Sequence, residues 1–217
     1  WARRNVLPLG AYDETGAMIR EPDTAAFETW RRRWPGARNY CVFMSFGDRF
    51  GPFTTGTPPF KKAVAAWITW WVVRLKTWDI APGQLGLLLV DEPHDMAESR
   101  RIIEYARVIQ AAAPDVVVWE DVTWREPWKV PAELFAVCDT LCPNLPMWIG
   151  QGTPFADFYV RQREAGRTLW FYSCSGPGKL LDPYAYHRMQ HWFCWRYGAR
   201  GSCFWAFGDS NGASSWN

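Results

Sequence analysis

Leu85-Gly86-Leu87-Leu88-Leu89-Val90-Asp91-Glu92-Pro93-His94-Asp95 is the stretch that decides the fold. An apolar run stops abruptly at two adjacent carboxylates and a proline. A run of this length, closed by a breaker, has the pattern of a parallel strand buried on both faces. Acids at the C-terminal end of such a strand stand where α/β folds and barrels build their active sites. Asp95 has a local task, because Glu98 three positions on completes the spacing of a helix capping box. Asp91 and Glu92 have none, and that surplus makes them the candidate catalytic pair.

On both sides of this stretch, strand and helix patterns alternate. Upstream lie a strand candidate at residues 5–12, a helix from about Asp23 to the Trp34-Pro35-Gly36 stop, and a strand at 39–46. Thr57-Pro58-Pro59 then opens a long helix, with proline tolerated in its first turn. Phe60, Val64, Trp67, Ile68, Trp71, Leu75 and Trp78 recur there at helical spacing, as a stripe that packs on a sheet rather than a ligand site. Downstream, a helix runs from Asp95 to Pro114, and strands at 116–122, 140–147, 168–173 and 202–207 follow. Between them come a short helix around Ala132-Glu133-Leu134-Phe135, one from Thr153-Pro154 to Ala165-Gly166, and one from Asp182-Pro183 to Tyr197. Seven strand candidates in βα alternation are one short of a closed barrel. The expected fold is α/β, a (β/α)8 TIM-type barrel incomplete at its N-terminus, with residues 1–217 as a single catalytic domain. A doubly wound open sheet is the alternative, but no Gly-x-Gly-x-x-Gly follows an early strand.

Composition narrows the partners. A formal net charge of +2 with both signs interspersed leaves no footprint for nucleic acid or an anionic membrane. Arg31-Arg32-Arg33 falls at a helix end, where cations favour the dipole. No apolar run has the length to span a membrane, since Thr69, Arg74 and Lys76 interrupt the longest apolar helix. Cys41, Cys138, Cys142, Cys174, Cys194 and Cys203 form no Cys-x-x-Cys pair, and free structural thiols are favoured over disulfides. The chain opens on Trp1, as a piece of a longer or processed chain would, and a secreted or periplasmic location is the expectation. Oligomeric state is not encoded in any motif. The 16 tryptophans exceed the needs of a core, and flat faces with a polar edge suit sugar rings.

The polar residues at predicted strand ends are Asp48, Asp91 with Glu92, Glu120 with Asp121, Asn144, Tyr172 with Ser173, and Asp209. His187 and His191 are four apart but lack a His-Glu-x-x-His pattern, so no metal or other cofactor is expected. There is no Gly-x-Ser-x-Gly elbow, and Ser175-Gly176-Pro177-Gly178-Lys179 lacks the full phosphate-loop pattern. What remains, carboxylates with aromatics, is the equipment of glycoside hydrolysis. A retaining enzyme of the ordinary kind needs a second carboxylate facing the first, and the strand ending Tyr172-Ser173-Cys174 has none. Two neighbouring acids without a separate nucleophile fit substrate-assisted hydrolysis, in which the sugar's own acetamido oxygen attacks.

Val90-Asp91-Glu92-Pro93, the segment from Asp139 to Pro143, Trp170-Phe171-Tyr172-Ser173-Cys174 and the block from Asp182 to Trp205 together resemble glycoside hydrolase family 123. The likeness covers roughly residues 80 to 209; Arg188, Trp192, Trp195, Tyr197-Gly198, Gly201 and Phe204-Trp205 carry its last part. It implies a β-N-acetylgalactosaminidase-like activity on a glycan or glycoconjugate. Asp91 would orient the acetamido group, Glu92 would be the general acid/base, and Tyr172 and Trp205 would lie near the sugar. Trp119 and Asn144 join the substrate-binding candidates from strand-end position alone. Residues 1 to about 80 carry no motif of that family, and its common N-terminal β-sandwich is absent. Two other functions compete: a carbohydrate-binding barrel without turnover, and a two-carboxylate glycosidase using Glu120 or Asp209 as nucleophile.

Overall fold

In the computed structural model, which describes residues 2–174 and 187–205, seven strands form one parallel sheet in sequence order. They are β1 (Ala2–Arg3), β2 (Tyr40–Phe43), β3 (Leu85–Leu88), β4 (Val117–Glu120), β5 (Thr140–Leu141), β6 (Thr168–Ser173) and β7 (Gly201–Phe204). The helices between them are α1 (Ala25–Arg33), α2 (Pro58–Lys76), α3 (Met96–Ala112), α4 (Ala132–Ala136), α5 (Leu145–Gln151), α6 (Thr153–Glu164) and α7 (Met189–Tyr197). Helical crossovers between sequence-adjacent parallel strands are the βα architecture expected of the alternation.

The sheet curls. Phe43 on β2 and Trp205 just beyond β7 approach to 6.1 Å between ring centroids across the concave side, although four strands lie between them. Among the described residues no pairing joins β1 to β7, so the fold is a curled half-barrel of seven strands rather than a closed (β/α)8 barrel.

Pleating divides each strand between two environments. Val42, Leu87, Val118, Leu141, Leu169 and Phe171 face the helices and join the main core. Cys41, Phe43, Leu88, Trp119, Cys142, Trp170, Tyr172 and Cys203 form a separate cluster on the concave side. Two glycines make room for its large rings. A Cβ on Gly86 would lie 3.2 Å from the Trp119 ring, and one on Gly201 only 2.4 Å from the Trp170 ring.

The tryptophan stripe is packing. The Thr57 side chain accepts the Phe60 N–H to start α2, and Phe60, Val64, Trp67, Ile68, Trp71 and Leu75 are all fully buried. The indole N–H groups of Trp67 and Trp71 both donate to the Pro8 carbonyl, at 3.2 and 3.3 Å. Each such apolar side chain contributes about 1.5–3 kcal/mol by leaving water. All six cysteines are free thiols. No helix among the described residues is long and apolar enough to cross a membrane.

The structure corrects the sequence expectation at two strands. The first strand is Ala2–Arg3, not residues 5–12; Arg4–Val6 is a 3-10 turn, and Ala11–Tyr12 pairs with Met18–Arg20 in a hairpin outside the main sheet. Pro8 removes a ladder donor in the middle of the predicted strand. The only β structure in residues 140–147 is the short strand β5 and an isolated bridge from Asn144 to Tyr172, and helix begins at Leu145. There Pro143 lacks an N–H, and the Asn144 side chain accepts the Met147 N–H at 3.1 Å, which caps α5 instead. The Ser175–Lys179 loop and the helix start at Asp182 lie outside the described residues.

The last βα unit is fastened by one polar side chain. Gln190 is the buried residue of α7, and its Oε1 accepts the Ser173 hydroxyl at 2.6 Å. Its amide nitrogen meets the Phe171 carbonyl, the Ser202 hydroxyl and the Cys203 carbonyl at 3.3, 3.0 and 2.9 Å.

Candidate active site

The candidate site forms where β3 runs out. Beyond Leu88 the chain leaves its ladder, and the Leu89 N–H donates to Glu120 Oε1 at 2.9 Å. Asp91 and Glu92 then enter the turn that Pro93 closes. Glu92 adopts a left-handed conformation, with φ 49°. That conformation costs a non-glycine residue on the order of 1–2 kcal/mol, and persists only where surrounding structure over-determines it. Here it is over-determined. The Glu92 N–H donates to Asp121 Oδ1 at 2.9 Å, and the Glu92 carbonyl accepts the Thr123 hydroxyl at 2.9 Å. His94 Nδ1 lies 3.0 Å from the same carbonyl, and the Thr123 N–H donates to the Pro93 carbonyl at 3.0 Å.

The turn aims Glu92 at β6. The Tyr172 hydroxyl donates to Glu92 Oε1 at 2.5 Å, and Cys174 Sγ lies 3.9 Å from the same oxygen. From the end of β5, the Asn144 side chain hydrogen-bonds Tyr172 and donates to Cys174 Sγ at 3.6 Å. Asp91 is hydrogen-bonded to the side chain of Asp121. Four of the predicted residues, Asp91, Glu92, Asn144 and Tyr172, therefore meet in one corner. Trp119 and Trp205 stand instead in the aromatic wall of the concave side. Trp119 is buried, edge-on to Phe43 at 5.3 Å and 5.7 Å from Trp170, with its indole nitrogen unpartnered. Trp205 is half-buried against Phe43.

Burial sets the electrostatics. Desolvation raises the Asp91 pKa, the Glu92 charge adds to the rise, and the hydrogen bond to Asp121 opposes it. Asp121 is raised well above the usual carboxylate range by burial first and the Asp91 charge second. Burial also raises Glu120 strongly, with Asp121 next. The Tyr172 phenol is held protonated by burial, then by Asp121 and the Glu92 carboxylate. It is a donor at any working pH.

Other predicted strand-end groups have different tasks. Glu120 is wholly buried behind the sheet with Oε2 unpartnered, so it cannot reach a substrate as a nucleophile. Asp209 lies outside the described residues. Asp48 is exposed and pairs with Arg101 at 2.6 Å. His191 Nδ1 lies 2.9 Å from the His187 carbonyl, and the His187 ring packs on Phe204. His94, Asp95 and Glu98 lie close enough together to hold a cation. Their bonds already cap α3, however, with Asp95 Oδ1 accepting the Glu98 N–H at 2.8 Å and Glu98 Oε2 the His94 N–H at 2.9 Å. Beside the turn lies an open groove of about 330 Å³, lined by His94, Thr123, Trp124, Arg125, Glu126 and Lys129.

Asp121 is the residue that sequence reasoning left without a role. A signal for it existed, because it shares the pleat parity of Trp119 and so faces the concave side, while Glu120 faces the helices.

No protein-family model matches this chain, and no curated protein matches it. Among solved structures, the hyperthermostable endo-1,4-β-D-mannanase of Thermotoga petrophila RKU-1, with maltose and glycerol, is similar over 77% of this chain, at 11% identity and a TM-score of 0.47. This chain spans 63% of that structure's length. A likeness of that degree transfers no residue role.

Proposed function

We propose that this protein is a glycoside hydrolase that removes a β-linked 2-acetamido sugar by substrate-assisted, retaining catalysis. The observation that carries the proposal is the acid corner: solvent-facing Glu92 bonded to the buried Tyr172 phenol, with Asp91 beside it. Among the described residues, the facing strands β5, β6 and β7 run out in Asn144, Cys174 and Trp205, with no acid. The aromatic wall supplies apolar faces for a sugar ring. N-acetylgalactosamine is the favoured sugar, on the resemblance to glycoside hydrolase family 123 alone.

In this mechanism Glu92 gives its proton to the glycosidic oxygen as the bond to the anomeric carbon breaks. The acetamido carbonyl oxygen forms the new bond to that carbon, closing an oxazolinium ring. Asp91 accepts the acetamido N–H as positive charge develops there. Water then attacks the anomeric carbon, giving its proton to Glu92 and returning the acetamido group with configuration retained. Tyr172, with Asn144 behind it, fixes the Glu92 carboxyl, and Trp119 and Trp205 belong to the sugar-facing wall.

Aryl β-glycosides of N-acetylgalactosamine, N-acetylglucosamine, galactose and glucose test this directly. Turnover is expected only where the 2-acetamido group is present. Equal turnover of plain galactosides would overturn the substrate-assisted mechanism. Sugar binding without turnover of any glycoside would favour a carbohydrate-binding barrel.

A further inference from the structure

Asp121 is tied to both members of the candidate pair. It follows β4 directly and is 4% exposed. Its Oδ1 accepts the Glu92 N–H at 2.9 Å, and its carboxyl is hydrogen-bonded to that of Asp91. Two carboxyls can share a hydrogen bond only when one of them holds a proton, since an ionised carboxylate only accepts. Burial decides which one holds it: Asp91 reaches solvent and Asp121 does not, so charge is cheaper on Asp91. The titratable groups that act on Asp121, or feel its charge, are Asp91 and Glu92 from the turn, Glu120 on its own strand, Cys142 beyond β5, Tyr159 on α6 and Tyr172 on β6. None is a cation, so no positive charge offsets ionisation of Asp121.

We propose that Asp121 is the positioning residue of the site: it donates its proton to the Asp91 carboxylate and accepts the Glu92 backbone N–H. One buried side chain thereby keeps Asp91 an acceptor and holds Glu92 in its left-handed turn. The proposal rests on the roles assigned to Asp91 and Glu92 above. It implies that Asp91 ionises at lower pH with Asp121 present than without it, because a donor aimed at a carboxylate favours the charged form.

The test follows two readouts in the wild type, Asp121→Ala and Asp121→Asn. One is the pH profile of kcat/KM on an acetamido aryl glycoside; the other is the titration of ¹³C-labelled aspartate carboxyls by NMR. Asp121→Ala is expected to move the acid limb and the Asp91 carboxyl titration upward together, by about one pH unit. Asp121→Asn keeps a donor for Asp91 and an oxygen for the Glu92 N–H, so both should stay near the wild-type position. Equal losses of activity and stability in the two variants, with neither titration moved, would mean a merely structural residue. If Asp121→Ala does not fold, Asp91→Asn replaces it. The Asp121 carboxyl should then titrate lower once the Asp91 charge is gone, and an unchanged titration overturns the proposal. A wild type that hydrolyses no acetamido glycoside defeats the functional proposal, while the NMR titrations still decide whether Asp121 protonates Asp91.

Discussion

Neighbouring strands β3 and β4 each run out in two adjacent acids, and the two doublets occupy different media. Asp91-Glu92 lies past the end of its ladder, exposed, with one residue in a strained conformation. Glu120-Asp121 lies at the end of β4 itself and is buried, with Glu120 directed behind the sheet and Asp121 toward the concave side. The residue types are the same, so composition cannot explain the contrast. What differs is where each ladder stops. The β4 doublet, kept under cover, favours its protons and accepts backbone N–H groups of the β3 turn at Leu89 and Glu92. The β3 doublet, released one turn further out, reaches solvent, as the proposed proton transfer to a substrate requires. In the proposed mechanism one pair supports and the other reacts.

Exchanging chemistry between the doublets should break this contrast. The largest effect is expected from Glu92→Gln, which removes the proposed general acid while keeping its shape. Turnover of an acetamido glycoside should fall about 10²–10⁴-fold, with the unfolding midpoint nearly unchanged. A variant that stays fully active in steady-state kinetics would remove Glu92 from the mechanism.

The same change at the buried doublet, Glu120→Gln, should appear in stability. Folded Glu120 keeps a proton that the unfolded chain releases above the ordinary glutamate range, because burial raises its pKa. Its contribution is complete below that range and is lost as pH rises toward the folded value, at about 1.4 kcal/mol per pH unit. Glutamine cannot titrate, so urea unfolding between pH 5 and pH 8 should show a shallower decline than the wild type. Asp121 acts in the same direction, so some decline should remain. An unaltered slope would show that Glu120 carries no excess proton.

The smallest effect on stability concerns the turn. Glycine tolerates φ 49° without a Cβ penalty, so Glu92→Gly should raise stability by up to about 1 kcal/mol while abolishing turnover. Loss of stability in that variant would show that the carboxyl's bond to Tyr172 outweighs the relieved strain.

Strands β2, β3, β4, β6 and β7 could be read from the chain because each falls in a short apolar, aromatic or β-branched run at βα spacing, whereas β5 followed only from its place in the alternation; β6 appears at its predicted bounds. The strand β1 could not, since two residues have no periodicity; Ala2 and Arg3 are placed by register against Val42 and Phe43. Asp91 and Glu92 stood out because capping left them over. The bond from Tyr172 to Glu92 spans 80 residues of chain, and no local pattern encodes it. Glu92's conformation is likewise imposed by Asp121 and Thr123, so propensity could not announce it. Gln190 looked like any polar residue on a helix, and only the packed helix gives it four partners.

That glutamine has a mechanical consequence. Trp192 and Trp195 on the same helix are 56% and 79% exposed, so much of the helix's bulk does not grip the sheet. A greasy contact can slide by a fraction of a turn at little cost, whereas an amide with directed partners on β6 and β7 fits in one position or none. The joint behaves as a key rather than as glue. Helix α7 and strand β7 should therefore detach and reseat as one unit, and their amide protons should exchange with solvent at a common rate set by that opening.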